Sequence, residues 1–88
     1  MNPATIVNVS PNPFTDTFIV SVEATCVEGA SLNLYNVAGV AIQRSSIQLA
    51  PGLNRVEIQT EDSPSGLYYL HYKTAITGMF MVIRMVKE

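Results

Sequence analysis

The chain has 88 residues, 48% of them hydrophobic and only 14% charged. That balance excludes intrinsic disorder, which requires low hydrophobicity and high charge, and the length makes one domain with no room for a separate catalytic lobe. A net charge of −2 supplies no basic field for nucleic acid or an anionic membrane surface, and a lone cysteine, Cys26, excludes an internal disulfide.

The N-terminal stretch lacks a basic start followed by an apolar run, so it does not read as a secretory signal peptide. If the parent protein is exported, its signal lies outside these residues. No stretch approaches the ~20 apolar residues of a membrane-spanning helix. Short apolar runs alternate with turn residues throughout, and no segment sustains a helical period, which predicts a β-sandwich or barrel.

The first run, Thr5–Ser10, stops at Pro11-Asn12-Pro13. The prolines lack backbone donors and disfavour helix in the residue before each, so this is a rigid kink suited to a sheet crossing. Phe14–Val22 is the second run, with Phe14, Phe18, Val20 and Val22 on one face and Thr15, Thr17 and Ser21 on the other. Asp16 is the exception on the apolar face. Ala30–Asn36 follows with Leu32 and Leu34 inward, and Asn36-Val37-Ala38-Gly39 fits a type I turn closed by a left-handed glycine.

Val40 and Ile42 are expected to resume the inward face. Ile47 and Leu49 are odd-numbered, so a bulge is predicted near Arg44–Ser46 to absorb the change of phase. Ala50-Pro51-Gly52-Leu53 is a type II turn by residue type, and Val56 and Ile58 then alternate with Arg55, Glu57 and Gln59. After the proline turn Ser63-Pro64-Ser65-Gly66, the run Leu67–Lys73 places Tyr68, Leu70 and Tyr72 on one face and Leu67, Tyr69 and His71 on the other. Ala75-Ile76-Thr77-Gly78 can close a hairpin onto Met79–Val86.

These seven candidate strands with short connections predict an all-β fold, an immunoglobulin-like antiparallel β-sandwich spanning 1–88 with its core from about residue 5. The Cys…Trp…Cys signature of true immunoglobulin domains is absent.

The chain is poor in chemistry. His71 is the only histidine, too few nitrogen and sulfur ligands for a zinc site, and it reads as an outward strand residue. Cys26 has no basic sequence neighbours and reads as a small buried or loop residue. Glu61-Asp62 reads as solvated loop before a proline turn. There is no Asp-rich calcium loop, and the glycines are scattered one per turn with no phosphate-binding loop. The expectation is a domain that is not an enzyme and carries no cofactor.

Two features stand out. Tyr68, Tyr69 and Tyr72 share one strand, as core and exposed β-formers or as an aromatic platform. Met79-Phe80-Met81-Val82-Ile83 is apolar on both faces, whereas a strand of a two-layer sandwich buries only one. Either this is a central strand whose outer face is covered by a loop, or it meets another protein, a role for which methionine is well suited.

These motifs together resemble the type A C-terminal sorting domain of the Bacteroidetes type IX secretion system, from about Ile6 to Glu88. Val9-Ser10-Pro11-Asn12-Pro13-Phe14 is similar to the family's opening motif, and Leu34-Tyr35-Asn36-Val37-Ala38-Gly39 to its central motif. Pro51-Gly52-Leu53-Asn54 resembles the turn that follows. Ser65-Gly66-Leu67-Tyr68-Tyr69-Leu70 resembles the Gly-x-Tyr motif, and Ile83–Glu88 the basic, apolar last strand. Arg84 stands where the family more often has lysine, and the two cations are not equivalent.

The resemblance implies an immunoglobulin-like label that directs its parent across the outer membrane by way of the periplasm, to the cell surface or the medium. The implied partners are outer-membrane components of the type IX translocon, a sortase-like cysteine protease and an N-terminal cargo domain, with no small-molecule substrate or nucleic acid. Cleavage is expected before or near residue 5. The recognition residues it points to are Pro11, Asn12, Pro13, Gly39, Gly66, Tyr68, Arg84 and Lys87. The last hairpin is expected to present Gly66, Tyr68, Arg84 and Lys87 as backbone edge, aromatic and positive charge, with Met79–Val86 docking by edge pairing. Self-association through that strand is a further expectation. The main rival is a carbohydrate-binding module with Tyr35 and Tyr69 as its platform, disfavoured by the absence of tryptophan; a structural spacer is the third alternative.

Overall fold

A computed structural model describes residues 4–60 and 62–88. Glu61 and residues 1–3, part of the region before or near residue 5 where cleavage is expected, lie outside the described residues. Seven strands form: β1 Thr5–Ser10, β2 Thr17–Ala24, β3 Glu28–Asn36, β4 Ala41–Leu49, β5 Gly52–Gln59, β6 Gly66–Thr74 and β7 Phe80–Lys87. They make two antiparallel sheets, ordered β1-β2-β5 and β4-β3-β6-β7. In the constant immunoglobulin layout the fourth strand joins the first, second and fifth; here β4 pairs with β3 instead, along Glu28↔Leu49 to Leu34↔Gln43.

The core lies between the sheets and follows the period of two. Phe18, Val20, Val22 and Ala24 of β2 and Ile58 of β5 meet Leu32 and Leu34 of β3 and Tyr68, Leu70 and Tyr72 of β6. Burial of such side chains stabilises by about 1.5–3 kcal/mol each before the entropy of ordering is charged against it. Tyr72 brings a hydroxyl into this core and donates it to the Ala4 carbonyl at 2.9 Å.

The turns follow their residue types. Gly39 has φ 81°, and Asn36 Oδ1 accepts from the amides of Ala38 and Val40, both at 3.0 Å, which locks the β3–β4 hairpin. Gly52 has φ 105°, and the Asn54 side chain bonds both the amide and the carbonyl of Ala50 around that turn.

Three expectations are corrected. Phe14 does not belong to the strand that starts at Thr17; it forms an isolated parallel bridge to Lys87 while burying its ring edge-on against Phe18, with centroids 4.9 Å apart. Val40 and Ile42 are exposed, not inward. The change of phase occurs at Ile42, because Leu34 pairs with Gln43 and Tyr35 with Ala41, so odd positions of β4 face inward from Gln43 onward and nothing slips at Arg44–Ser46. Of the two alternatives left open for the last strand, the covered central one does not hold, because β7 is at the edge of its sheet.

Candidate functional site

The last strand and the segment that crosses it make the most unusual local structure. Odd positions of β7 face the core: Met85 is buried, and Met81 and Ile83 pack against the core cluster. Even positions face outward, where Phe80 is 59% and Val82 49% exposed.

On its inner flank β7 pairs with β6 along its whole length. On its outer flank, described residues bind it only at the C-terminal half. Asn12 Nδ2 donates to the Arg84 carbonyl at 3.0 Å, and the Val86 amide donates to Asn12 Oδ1 at 3.0 Å. The Phe14 amide then donates to the Val86 carbonyl and the Glu88 amide to the Phe14 carbonyl, both at 2.8 Å. The amide of one side chain thus imitates a strand residue, and Phe14 continues the imitation with its own backbone. Pro11 and Pro13 flank Asn12, each preceded by a cis peptide bond, and both are exposed.

Lys87 closes the strand. It is 6% exposed, and its Nζ donates to the carbonyls of Thr60 and of Ser63, the latter at 2.6 Å. Thr60 in turn donates its amide and hydroxyl to the Asp16 carbonyl, at 2.7 and 3.0 Å. The ammonium therefore ties the end of β7 to the β5–β6 connection and, through Thr60, to the approach to β2. Tyr68 is 3% exposed and donates its hydroxyl to the Pro64 carbonyl, in the manner of a tyrosine corner.

The expectation that the last hairpin displays Tyr68 and Lys87 at the surface is thereby corrected: both are buried supports. Of the candidate residues, Asn12, Arg84 and Lys87 converge on β7, flanked by Pro11 and Pro13, and Gly66 pairs directly with Lys87 at the start of β6. Gly39 lies apart, in the β3–β4 turn. Arg84 is exposed on the outer face.

At the opposite end of β7, Glu28 holds the hairpin turn. It is buried at the start of β3, and its Oε1 accepts from the amides of Ile76 and Thr77 at 2.9 and 3.0 Å, while Oε2 accepts from the Thr77 hydroxyl at 2.8 Å. The Thr77 amide above all, with the Ile76 amide and the threonine hydroxyls, holds this carboxyl below its ordinary value against the opposing effect of burial. Burial first, and the nearby Glu28 charge second, push the Tyr72 phenol up to about 12. No sequence pattern marked Glu28.

The outer face of the β4-β3-β6-β7 sheet carries an aromatic diagonal. The Tyr35 ring lies 4.4 Å from His71, and His71 lies 5.9 Å from Phe80, edge to face. Tyr35 pairs across strands with Tyr69, and Tyr69 with Arg84. His71 is thus an outward strand residue, as expected. Cys26 is partly buried in the β2–β3 connection, and Asp62 is exposed.

No cluster of three potential metal ligands occurs among the described residues. A concavity of about 580 Å³ at the Gly29, Ser46 and Gln48 end of that sheet has Lys73 as its one ionisable lining residue, and a second near Thr60 and Ser63 has Asp62. Neither pairs a hydroxyl with a histidine or thiol base.

A family model described as "secretion system C-terminal sorting domain" matches residues 8–86. No curated protein matches the chain.

Proposed function

Because the chain belongs to the family of secretion-system C-terminal sorting domains, we propose that its geometry serves to present β7 as a strand to be read by the export machinery. Membership makes the domain a C-terminal sorting signal of the type IX secretion system, whose route leads across the outer membrane to the cell surface or the medium. It works with that machinery and with a parent cargo protein, and sorting domains of this family are in general non-catalytic.

The observation that carries the proposal is the half-open edge of β7. Its C-terminal half is held by Asn12, Phe14 and Lys87, while Phe80–Ile83 keeps an exposed apolar face and a flank that no described residue covers. A free edge is an aggregation hazard that folded proteins normally blunt, and one kept open on a firmly pinned strand suits recognition by β-augmentation. On this reading a component of the outer-membrane translocon is the reader, and a sortase-like cysteine protease acts afterwards on the chain ahead of β1. Pro11, Asn12, Pro13, Gly66, Tyr68 and Lys87 contribute by building and pinning the strand, and Arg84 by meeting the reader. The domain itself contributes no catalysis.

The test is an export assay. Residues 1–88 are fused to the C-terminus of a reporter with its own signal peptide and expressed in a Bacteroidetes host with and without a working type IX system. Reporter outside the cell only in the competent host is the expected result. Intact, folded reporter held in the periplasm of both hosts would overturn the proposal.

A further inference from the structure

The exposed charges on the strands are unevenly divided between the two outer faces. Arg44, Lys73 and Arg84 are all exposed on the outer face of the β4-β3-β6-β7 sheet, beside the Tyr35–His71–Phe80 diagonal. Outward positions of these strands carry no described carboxylate. The outer face of the β1-β2-β5 sheet holds Glu23 and Glu57 against Arg55 alone. A chain of net charge −2 therefore keeps a locally cationic face around the Tyr35–His71–Phe80 stripe.

The free flank of β7 opens beside that face. Backbone groups in a strand alternate in direction. Since the Val86 amide and the Arg84 carbonyl point to Asn12 and the Val86 carbonyl to Phe14, the groups of Phe80 and Val82 and the Arg84 amide point the same way, and no described residue bonds them. The outward side chains of this stretch are Phe80, Val82 and Arg84. A strand added there lies about 4.8 Å from β7 and about 10 Å from β6. Its outward side chains would meet Arg84 directly, and Lys73 of β6, which pairs with Phe80, is within reach of a long side chain.

We infer that the strand accepted by β7 is an acidic extended segment of a partner protein, with carboxylates on the side that faces Arg84 and Lys73. The inference rests on the reading of β7 as the recognised strand and names the chemistry of what recognises it. Backbone pairing supplies register, the apolar pair Phe80 and Val82 supplies contact area, and the cations select for charge. A second copy of this chain is a poorer occupant, because it brings the same cations to the seam.

The test uses the 15N-labelled chain and three seven-residue peptides. One alternates glutamate with threonine and valine, one replaces each glutamate by lysine, and one is the glutamate peptide N-methylated at alternate amides. The glutamate peptide is expected to shift the amides of Phe80–Arg84 and to bind about tenfold more tightly than the lysine peptide at low salt. N-methylation should abolish binding, and the exposed double substitution Lys73→Glu with Arg84→Glu should reverse the preference without altering the circular dichroism spectrum. Equal binding of the two charged peptides, shifts centred away from β7, or insensitivity to N-methylation would each overturn the inference. So would concentration-dependent shifts at Phe80–Arg84 without peptide, which would give the edge to a second copy. In the export assay, loss of sorting by the wild-type fusion counts against the role of the domain. Undiminished export of the charge-reversed fusion beside a sorted wild type counts against the acidic partner alone.

Discussion

The two halves of β7 differ in composition and in how they are held: Phe80–Ile83 is wholly apolar, and Arg84–Lys87 carries two cations. From the Arg84 carbonyl to Lys87 the strand is bonded on both flanks, by β6 on one side and by Asn12 and Phe14 on the other, and its end is fastened by a buried ammonium. From Phe80 to Ile83 described residues bond it on one flank only, and two large apolar side chains are left in water. The contrast separates residues that hold the strand in place from residues that leave it open. Of the candidate residues, Asn12 bonds β7 from its outer flank, Gly66 and Tyr68 pair with it from β6, and Lys87 fastens its end.

The largest expected break of this contrast is at Phe14. Phe14→Ala removes a fully buried ring and should cost about 3–5 kcal/mol, a large share of the stability of any small domain. Phe80→Ala, an aromatic truncation in the open half, should stay within about 0.5 kcal/mol. Urea midpoints of the two variants measure the difference, and equal losses would refute the division of the strand.

Lys87→Ala should come next, at about 1–3 kcal/mol, since it leaves the Thr60 and Ser63 carbonyls without their shared donor. Lys87→Met keeps the aliphatic stem but not the ammonium. It should retain most of that loss if the hydrogen bonds matter more than the packing, and recover most of it if they do not.

Asn12→Ala removes two exposed bonds to β7 and should cost about 1 kcal/mol. Its sharper signature is local. Hydrogen exchange should quicken at the Val86 amide and stay unchanged at Val82, which no described residue bonds on that flank. Uniform acceleration along β7 would mean that Asn12 supports the whole strand.

The mildest expected effect is acid sensitivity of the β6–β7 turn. The folded state holds the Glu28 carboxyl below its ordinary value, so the unfolded chain takes up the proton first. The stabilisation is complete above the ordinary carboxylate range and is lost as pH falls through the lower folded value. Thermal melts across the acid range should show this decline, and Glu28→Gln should flatten it.

Much of the fold was legible because strand formation depends on near neighbours. Alternation in Phe18–Val22 and Tyr68–Tyr72 defined inward faces that the structure keeps, and the prolines, Asn36 and Gly39 marked turns through their own dihedral limits. The phase of β4 was misplaced because a bulge depends on pairing with β3, and Ile42 carries no mark of being the extra residue. Lys87 is instructive in a different way. It stands two residues beyond buried Met85, so the period of two already placed it on the inner face. The general preference of lysine for water concealed what the alternation implied.

Local sequence was thus enough to establish an all-β domain of seven strands, the places of most of its turns, and the family its motifs resemble, since each rests on local sterics or on the order of short motifs. The three-dimensional arrangement alone made β7 an edge, brought Asn12 across more than seventy residues to occupy half of it, and gathered three cations on one face. Those outcomes depend on which strands become neighbours in a sheet, and that is set by the packing of the whole core and by no stretch of the chain alone.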